Sequence, residues 1–195
     1  MDKFDGIVNH IVADNYIQFS YDEIPLEGRG HVKTLHISVK CRDYVMARVL
    51  IDNGSSLNVM PKSTLVKLPF DESYIKPNTL AVKAFDGTIR GVIGEIELPI
   101  QIGPCTSNIL FQVMDITPTY SCLLGCPWIH SAGAVPSSLH QKVKFIIDYK
   151  MVIISGEEDW LVSKTSTTPY IEAVEEALET TFQTFEIANT NYIGE

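Results

Sequence analysis

The sequence has little of what marks an exported, membrane-spanning or nucleic-acid-binding chain. Four cysteines in 195 residues are too few for a disulfide scaffold and suit a reducing compartment. No apolar run nears the ~18 residues that a bilayer-spanning helix needs. The opening stretch MDKFDGIVNHIVADNY places acids inside its apolar positions and offers no small-residue cleavage site, unlike a secretory leader. Basic residues are outnumbered, 15 Lys and Arg against 24 Asp and Glu. A cationic groove for phosphates is therefore missing, and direct nucleic-acid binding is not expected. The absences leave a cytoplasmic globular protein with no membrane partner as the expectation.

What is present is unevenly spread. Residues 157–195 hold nine acids and one base, a net of −8 out of the chain's −9, and so read as an acidic tail or linker. Residues 1–30 are weakly patterned and end in the glycine-rich PLEGRGH. Between them, residues 31–156 carry short apolar runs broken by turn residues at regular spacing, the pattern of an all-β barrel or sandwich. TLHISVK alternates Leu35, Ile37 and Val39 on one face. DYVMARVLID is a longer strand rich in branched residues, and two strand-like arms flank Asp86-Gly87, a hairpin dipeptide. SNILFQVMDI and the pair VKFIID/MVIIS around Tyr149-Lys150 complete the set. Helical signals are few: PKSTLVKL and a short turn in CPWIHSAG. In the tail, Ile171, Val174, Leu178, Phe182 and Phe185 fall on one stripe. That spacing predicts an amphipathic helix over 169–188, docked on its own domain or offered to a partner.

The chemistry concentrates in VLIDNGSSLNV, residues 49–59. A branched strand runs into Asp52, whose carboxylate is costly at the edge of a core without partners or a purpose. Gly54 permits a tight turn, and Ser55 and Ser56 supply hydroxyls to the same loop. Taken alone, the tripeptide fits either a plain Asx turn or a catalytic carboxylate. Cys122, Cys126 and His130 stand at four-residue steps, but Pro127 interrupts them and no fourth ligand is near, so no metal site is expected. A serine nucleophile is also not expected, since no G-x-S-x-G elbow exists.

The run of apolar residues into Asp52-Asn53-Gly54-Ser55, with CLLGCPWIHSAGAV about 70 residues later, resembles the retropepsin family of aspartic proteases. Within it the likeness is to the protease segment of plant-type Gypsy long-terminal-repeat retrotransposon polyproteins, and it spans residues 31–156. The resemblance implies a closed barrel with a β-hairpin flap and one short helix. It makes Asp52 catalytic and gives Asn53, Gly54 and Ser55 the active-site loop. Leu123, Leu124 and Gly125 lie beside that loop, with Pro127, Trp128 and Ile129 opening the helix. Residues 83–91 form the flap, with Ala84, Phe85, Asp86, Gly87 and Thr88 at its centre, and Leu50, Phe85, Ile89 and Leu124 line the substrate pocket.

The family supplies one aspartate per chain, so a homodimer completes the site. Two carboxylates that close share one proton: one activates a water, the other hydrogen-bonds the developing oxyanion. No cofactor or metal is implied. The implied substrate is a Gag-Pol-like polyprotein, in the cytoplasm or in retroelement virus-like particles. Three positions depart from the family's pattern: Asn53 stands for Thr or Ser, Ser56 for Asp, and Cys126 for Arg. Both halves of the usual Arg–Asp pair are missing, so no buried charge is orphaned. These departures keep a second reading open, a catalytically silent dimerisation or peptide-binding module on the same fold.

Overall fold

A computed structural model describes residues 16–78, 81–83, 89–157, 171–173 and 185–189. The alternating runs become strands: β1 (His36–Cys41), β2 (Tyr44–Ile51), β3 (Val59–Pro61), β4 (Ala81–Lys83), β5 (Ile89–Ile102), β6 (Cys105–Met114) and β7 (Cys122–Leu124). Six of them form a ring in the order β1-β2-β7-β3-β6-β5, closed back onto β1 by the pair Lys40–Gln101, while β4 extends β5. The ring is not sewn evenly. β5 and β6 share a long antiparallel ladder, whereas β3 meets β7 at Val59–Leu123 alone. Leu35, Ile37 and Val39 all point into the barrel core, as their alternation requires, against Leu98, Ile100, Phe111 and Leu124.

PKSTLVKL and CPWIHSAG both deliver helix, α1 (Lys62–Leu65) and α2 (Cys126–Ser131). Pro61 ends β3 and stands at the N-cap position of α1. A small second sheet comes after α2, in the order β12-β10-β9-β8: β8 (Val135–Ser137), β9 (Lys142–Ile147), β10 (Lys150–Ser155) and β12 (Phe185–Asn189). The β9–β10 turn sits one residue earlier than the sequence suggests. Asp148 and Tyr149 both take positive φ, and Ile147 pairs with Lys150, the geometry of a two-residue hairpin loop.

The tail departs from expectation. Its apolar stripe predicts a helix over 169–188, but the two described parts are strands: β11 (Ile171–Ala173) along β2 and β12 along β10. A preformed strand edge offers backbone partners at once, whereas an isolated helix must first form an unfavourable nucleus. Apart from Glu157, the remainder of the tail lies outside the described residues.

Residues 16–30, unpatterned in sequence, are tied down by Lys144. This lysine is buried in the middle of β9. Its Nζ donates to the Gln18 carbonyl at 2.8 Å, pairs with Glu23 at 2.7 Å and lies 4.5 Å over the Phe19 ring. Burial works to raise the Glu23 carboxyl. The Lys144 hydrogen bond, the Ser20 N–H and the charges of Lys144 and Lys142 outweigh it and hold the group at about 2. A depressed acid stabilises the fold above its unfolded value of 4.5 and loses that contribution as pH falls toward 2. The contribution reaches at most about 3 kcal/mol at neutral pH. Thermal melts of the wild type and Glu23→Gln are therefore expected to differ at pH 7 and to converge between pH 4.5 and 2.

Candidate active site

β2 carries its branched residues between two neighbours, antiparallel to β1 and parallel to β7, with Ile51 opposite Leu124. The parallel pairing continues one step past the strand, where the Asp52 N–H donates to the Leu124 carbonyl at 3.0 Å. The loop then closes on itself. Gly54 N–H donates to Asp52 Oδ1 at 2.8 Å, and Ser55 N–H to the Asp52 carbonyl at 3.3 Å. Ser55 Oγ donates to the Leu57 carbonyl at 2.9 Å. The start of α2 grips the same loop, with Cys126 N–H on the Ser55 carbonyl at 2.8 Å.

Two residues outside the motif complete this frame. Asn58 is buried; its Oδ1 accepts from Gly125 N–H at 2.9 Å and its Nδ2 donates to the Leu110 carbonyl at 3.1 Å. It joins the aspartate loop, β7 and β6 in one network. An amide inside the apolar run LNVM was the sequence signal for it. Cys126 is only partly buried. Its Sγ lies 3.2 Å from the Asn53 carbonyl, donating a weak hydrogen bond. Two of the departures from the family pattern thus touch each other. Cys122 does lie in the core, and burial raises its thiol, with the neighbouring Cys41 adding to the rise. With Cys122 inside, Cys126 on the loop and His130 exposed, the three do not converge on a common point.

Asp52 is partly exposed at the floor of an open cleft of about 620 Å³. Its walls are apolar: Leu57, Val59, Val82, Met114, Ile116 and Leu123, with Tyr120 at one side. Tyr120 is pushed above the usual phenol range by burial, then by Cys122 and the Asp52 charge. Of the expected pocket residues, Leu124 is corrected: it is fully buried in the barrel core, and Leu123 faces the cleft instead. Successive strand residues point to opposite faces, so one of the two had to be inside. Leu50, also expected there, is half-buried against Val59, Val92, Met114 and Leu123 and is not among the residues that line the cleft. β4 and β5 pair antiparallel on either side of the expected flap, Lys83 opposite Ile89. The flap residues Ala84, Phe85, Asp86, Gly87 and Thr88 lie outside the described residues, and so does the Ile89 side chain. Val82, Met114, Ile116 and Tyr120 were missed, because only the folded barrel brings β4, β6 and the loop before β7 to one cleft.

The frame can hold one carboxylate rigidly, with a water-sized approach to it from an apolar groove. Among the described residues it provides no second acid beside Asp52 in that groove.

No protein-family model matches the chain, and no curated protein matches it. Solved structures do. The retroviral protease-like domain of Ddi1 from Leishmania major is similar at a TM-score of 0.49 and 13% identity, covering 59% of this chain and 90% of that one. EIAV protease, complexed with the inhibitor HBY-793, is similar at 0.45 and 17%, covering 55% and 96%. A retropepsin-like aspartic protease from Rickettsia conorii is similar at 0.45 and 20%, covering 57% and 83%.

Proposed function

We propose that the chain is an aspartic endopeptidase whose site is completed by a second copy of itself. The observation that carries the reading is the single carboxylate of Asp52. A loop pinned by Gly54, Leu124 and Cys126 holds it at the floor of an apolar cleft open enough for an extended peptide. Amide hydrolysis without a metal or a nucleophilic side chain needs one group to take a proton from water and another to hydrogen-bond the oxyanion. One aspartate cannot do both at once. Two copies related by a two-fold axis, with their Asp52 loops facing, supply the pair. A flap carried on the β4–β5 hairpin would close over the same cleft, cover the peptide and pair with its backbone as an added strand.

The sequence resemblance extends the proposal to the natural substrate: a retroelement Gag-Pol-like polyprotein, cut in the cytoplasm or in a virus-like particle. Asn53, beside the aspartate, favours a second reading, a silent module that binds peptide without cutting it. Its carbonyl is engaged by Cys126, and the Arg–Asp pair that braces other family members is replaced by Cys126 and Ser56.

The test is cleavage of a mixed peptide library by residues 1–195 across pH 3–8, with a transition-state mimic of aspartic proteases as control and sedimentation to fix the oligomer. The expected result is a dimer with a bell-shaped pH profile favouring mild acid, blocked by the mimic. A folded dimer that binds the mimic but cleaves nothing supports the silent module. Activity that rises steadily into alkaline pH overturns the shared-proton mechanism.

A further inference from the structure

β2 does not run straight into Asp52. Opposite Ser38 it carries an extra residue: Ile37 pairs with Val49 but Val39 with Met46, so Ala47 and Arg48 together face one position of β1. This is a β-bulge, which bends a strand and re-aims the residues beyond it. Arg48 takes a φ of +60, an uncommon and costly conformation for a residue with a side chain. Something must hold it there. The carboxylate of Glu157 does: Oε1 accepts from Arg48 N–H at 2.8 Å and from Ser38 Oγ at 2.7 Å, one contact on each strand of the bulge. Glu157 is itself anchored, since its N–H donates to the His36 carbonyl at 2.8 Å and Gly156 N–H donates to the Gln141 carbonyl at 2.6 Å.

The bulge is also where β2 changes partners. The carbonyl of Arg48 accepts from Ser121 N–H at 2.9 Å and that of Ala47 from Ser121 Oγ at 2.5 Å. The Ser121 carbonyl in turn accepts from Thr64 Oγ1 at 2.7 Å. Ser121 directly precedes β7, the strand whose Leu124 carbonyl holds the Asp52 N–H. The register of β7 on β2 is therefore set at the bulge, and that register places the aspartate loop.

We propose that Glu157 is a positioning residue for Asp52: its carboxylate locks the Ala47–Arg48 bulge and so fixes the β2–β7 register that presents the active-site loop. The inference rests on the aspartic-protease reading for its effect on rate, but the lock itself does not. It also assigns the first residue of the acidic tail to the working part of the molecule, although composition alone sets 157–195 apart.

The test compares full-length wild type, Glu157→Ala and Glu157→Gln by steady-state cleavage and by amide hydrogen exchange at Arg48 and Asp52. Gln keeps the accepting oxygen for both donors; Ala removes it. In Glu157→Ala, exchange at both amides is expected to accelerate at least tenfold and kcat to fall at least tenfold, with KM within about twofold of wild type. Glu157→Gln should recover most of each. A purely structural role would lower the melting temperature while leaving kcat per folded enzyme and Asp52 exchange unchanged well below the melt. That result overturns the proposal, as does unchanged exchange at Arg48. If the wild type cleaves nothing, the protease reading fails separately, and exchange at Asp52 still decides whether Glu157 positions it.

Discussion

Replacing Asp52 by Asn is expected to abolish peptide cleavage, lowering kcat/KM by at least ~10⁴-fold, while leaving the barrel folded. The size reflects the two roles of the group. A positioned acid–base contributes roughly 10²–10⁴ in rate. In a symmetric pair one substitution removes both partners of the same site, so neither role survives. Asn is the informative choice because its Oδ1 can still accept the Gly54 N–H, the only side-chain bond through which Asp52 holds its own loop among the described residues. The melting temperature and the sedimentation coefficient should therefore match the wild type. Loss of activity with both unchanged assigns the chemistry to the carboxylate. Cleavage at the wild-type rate would mean that another group does the work, and the dyad reading would fall.

Gly125→Ala is expected to damage stability and activity together. A Cβ at Gly125 would stand 2.7 Å from the Ser55 carbonyl oxygen and closer still to that of Leu57. Both are backbone atoms of the aspartate loop, and neither can swing aside as a long side chain could. The Ser55 carbonyl already accepts the Cys126 N–H and the Leu57 carbonyl the Ser55 hydroxyl, so moving either breaks a bond. Overpacking of this kind costs on the order of 3 kcal/mol or more. For a domain of this size that corresponds to a fall of roughly 6–12 °C in melting temperature. Activity measured well below the melt should also drop, since the loop must shift to admit the methyl group. An alanine variant with wild-type melting would show that the loop and β7 are not in close contact.

The parts of this molecule written in local pattern were legible. β1 could be read from Leu35, Ile37 and Val39, because alternation is a property of neighbours. The turn after β2 could be read from Asp52, Asn53 and Gly54, whose backbone and side-chain preferences act within a few residues. What escaped is what depends on distant partners. Nothing near Arg48 announces a bulge; its lock comes from Glu157, 109 residues on. Nothing in residues 16–30 announces order, because the lysine that organises them lies in β9. The tail shows the converse. Its glutamates and apolar stripe carry a helical period, yet backbone edges on β2 and β10 claim its described parts as strand. The choice between Leu123 and Leu124 needed the β2–β7 register, which no spacing within CLLG reveals.

The uneven sewing of the ring has a consequence for how the cleft would meet a peptide. Taking out the two joins made by a single residue pair, Lys40–Gln101 and Val59–Leu123, divides the barrel into two leaves. One leaf is β1, β2 and β7; the other is β3, β6, β5 and β4. Asp52 belongs to the first leaf. Val59, Met114 and the β4–β5 hairpin belong to the second. Asp52 and most of the cleft wall therefore ride on different covers of a book. Asn58 is its clasp, fastened to Gly125 on one cover and Leu110 on the other. A peptide bound as proposed would therefore touch both covers at once, bridging leaves whose strand ladders meet at only two residue pairs.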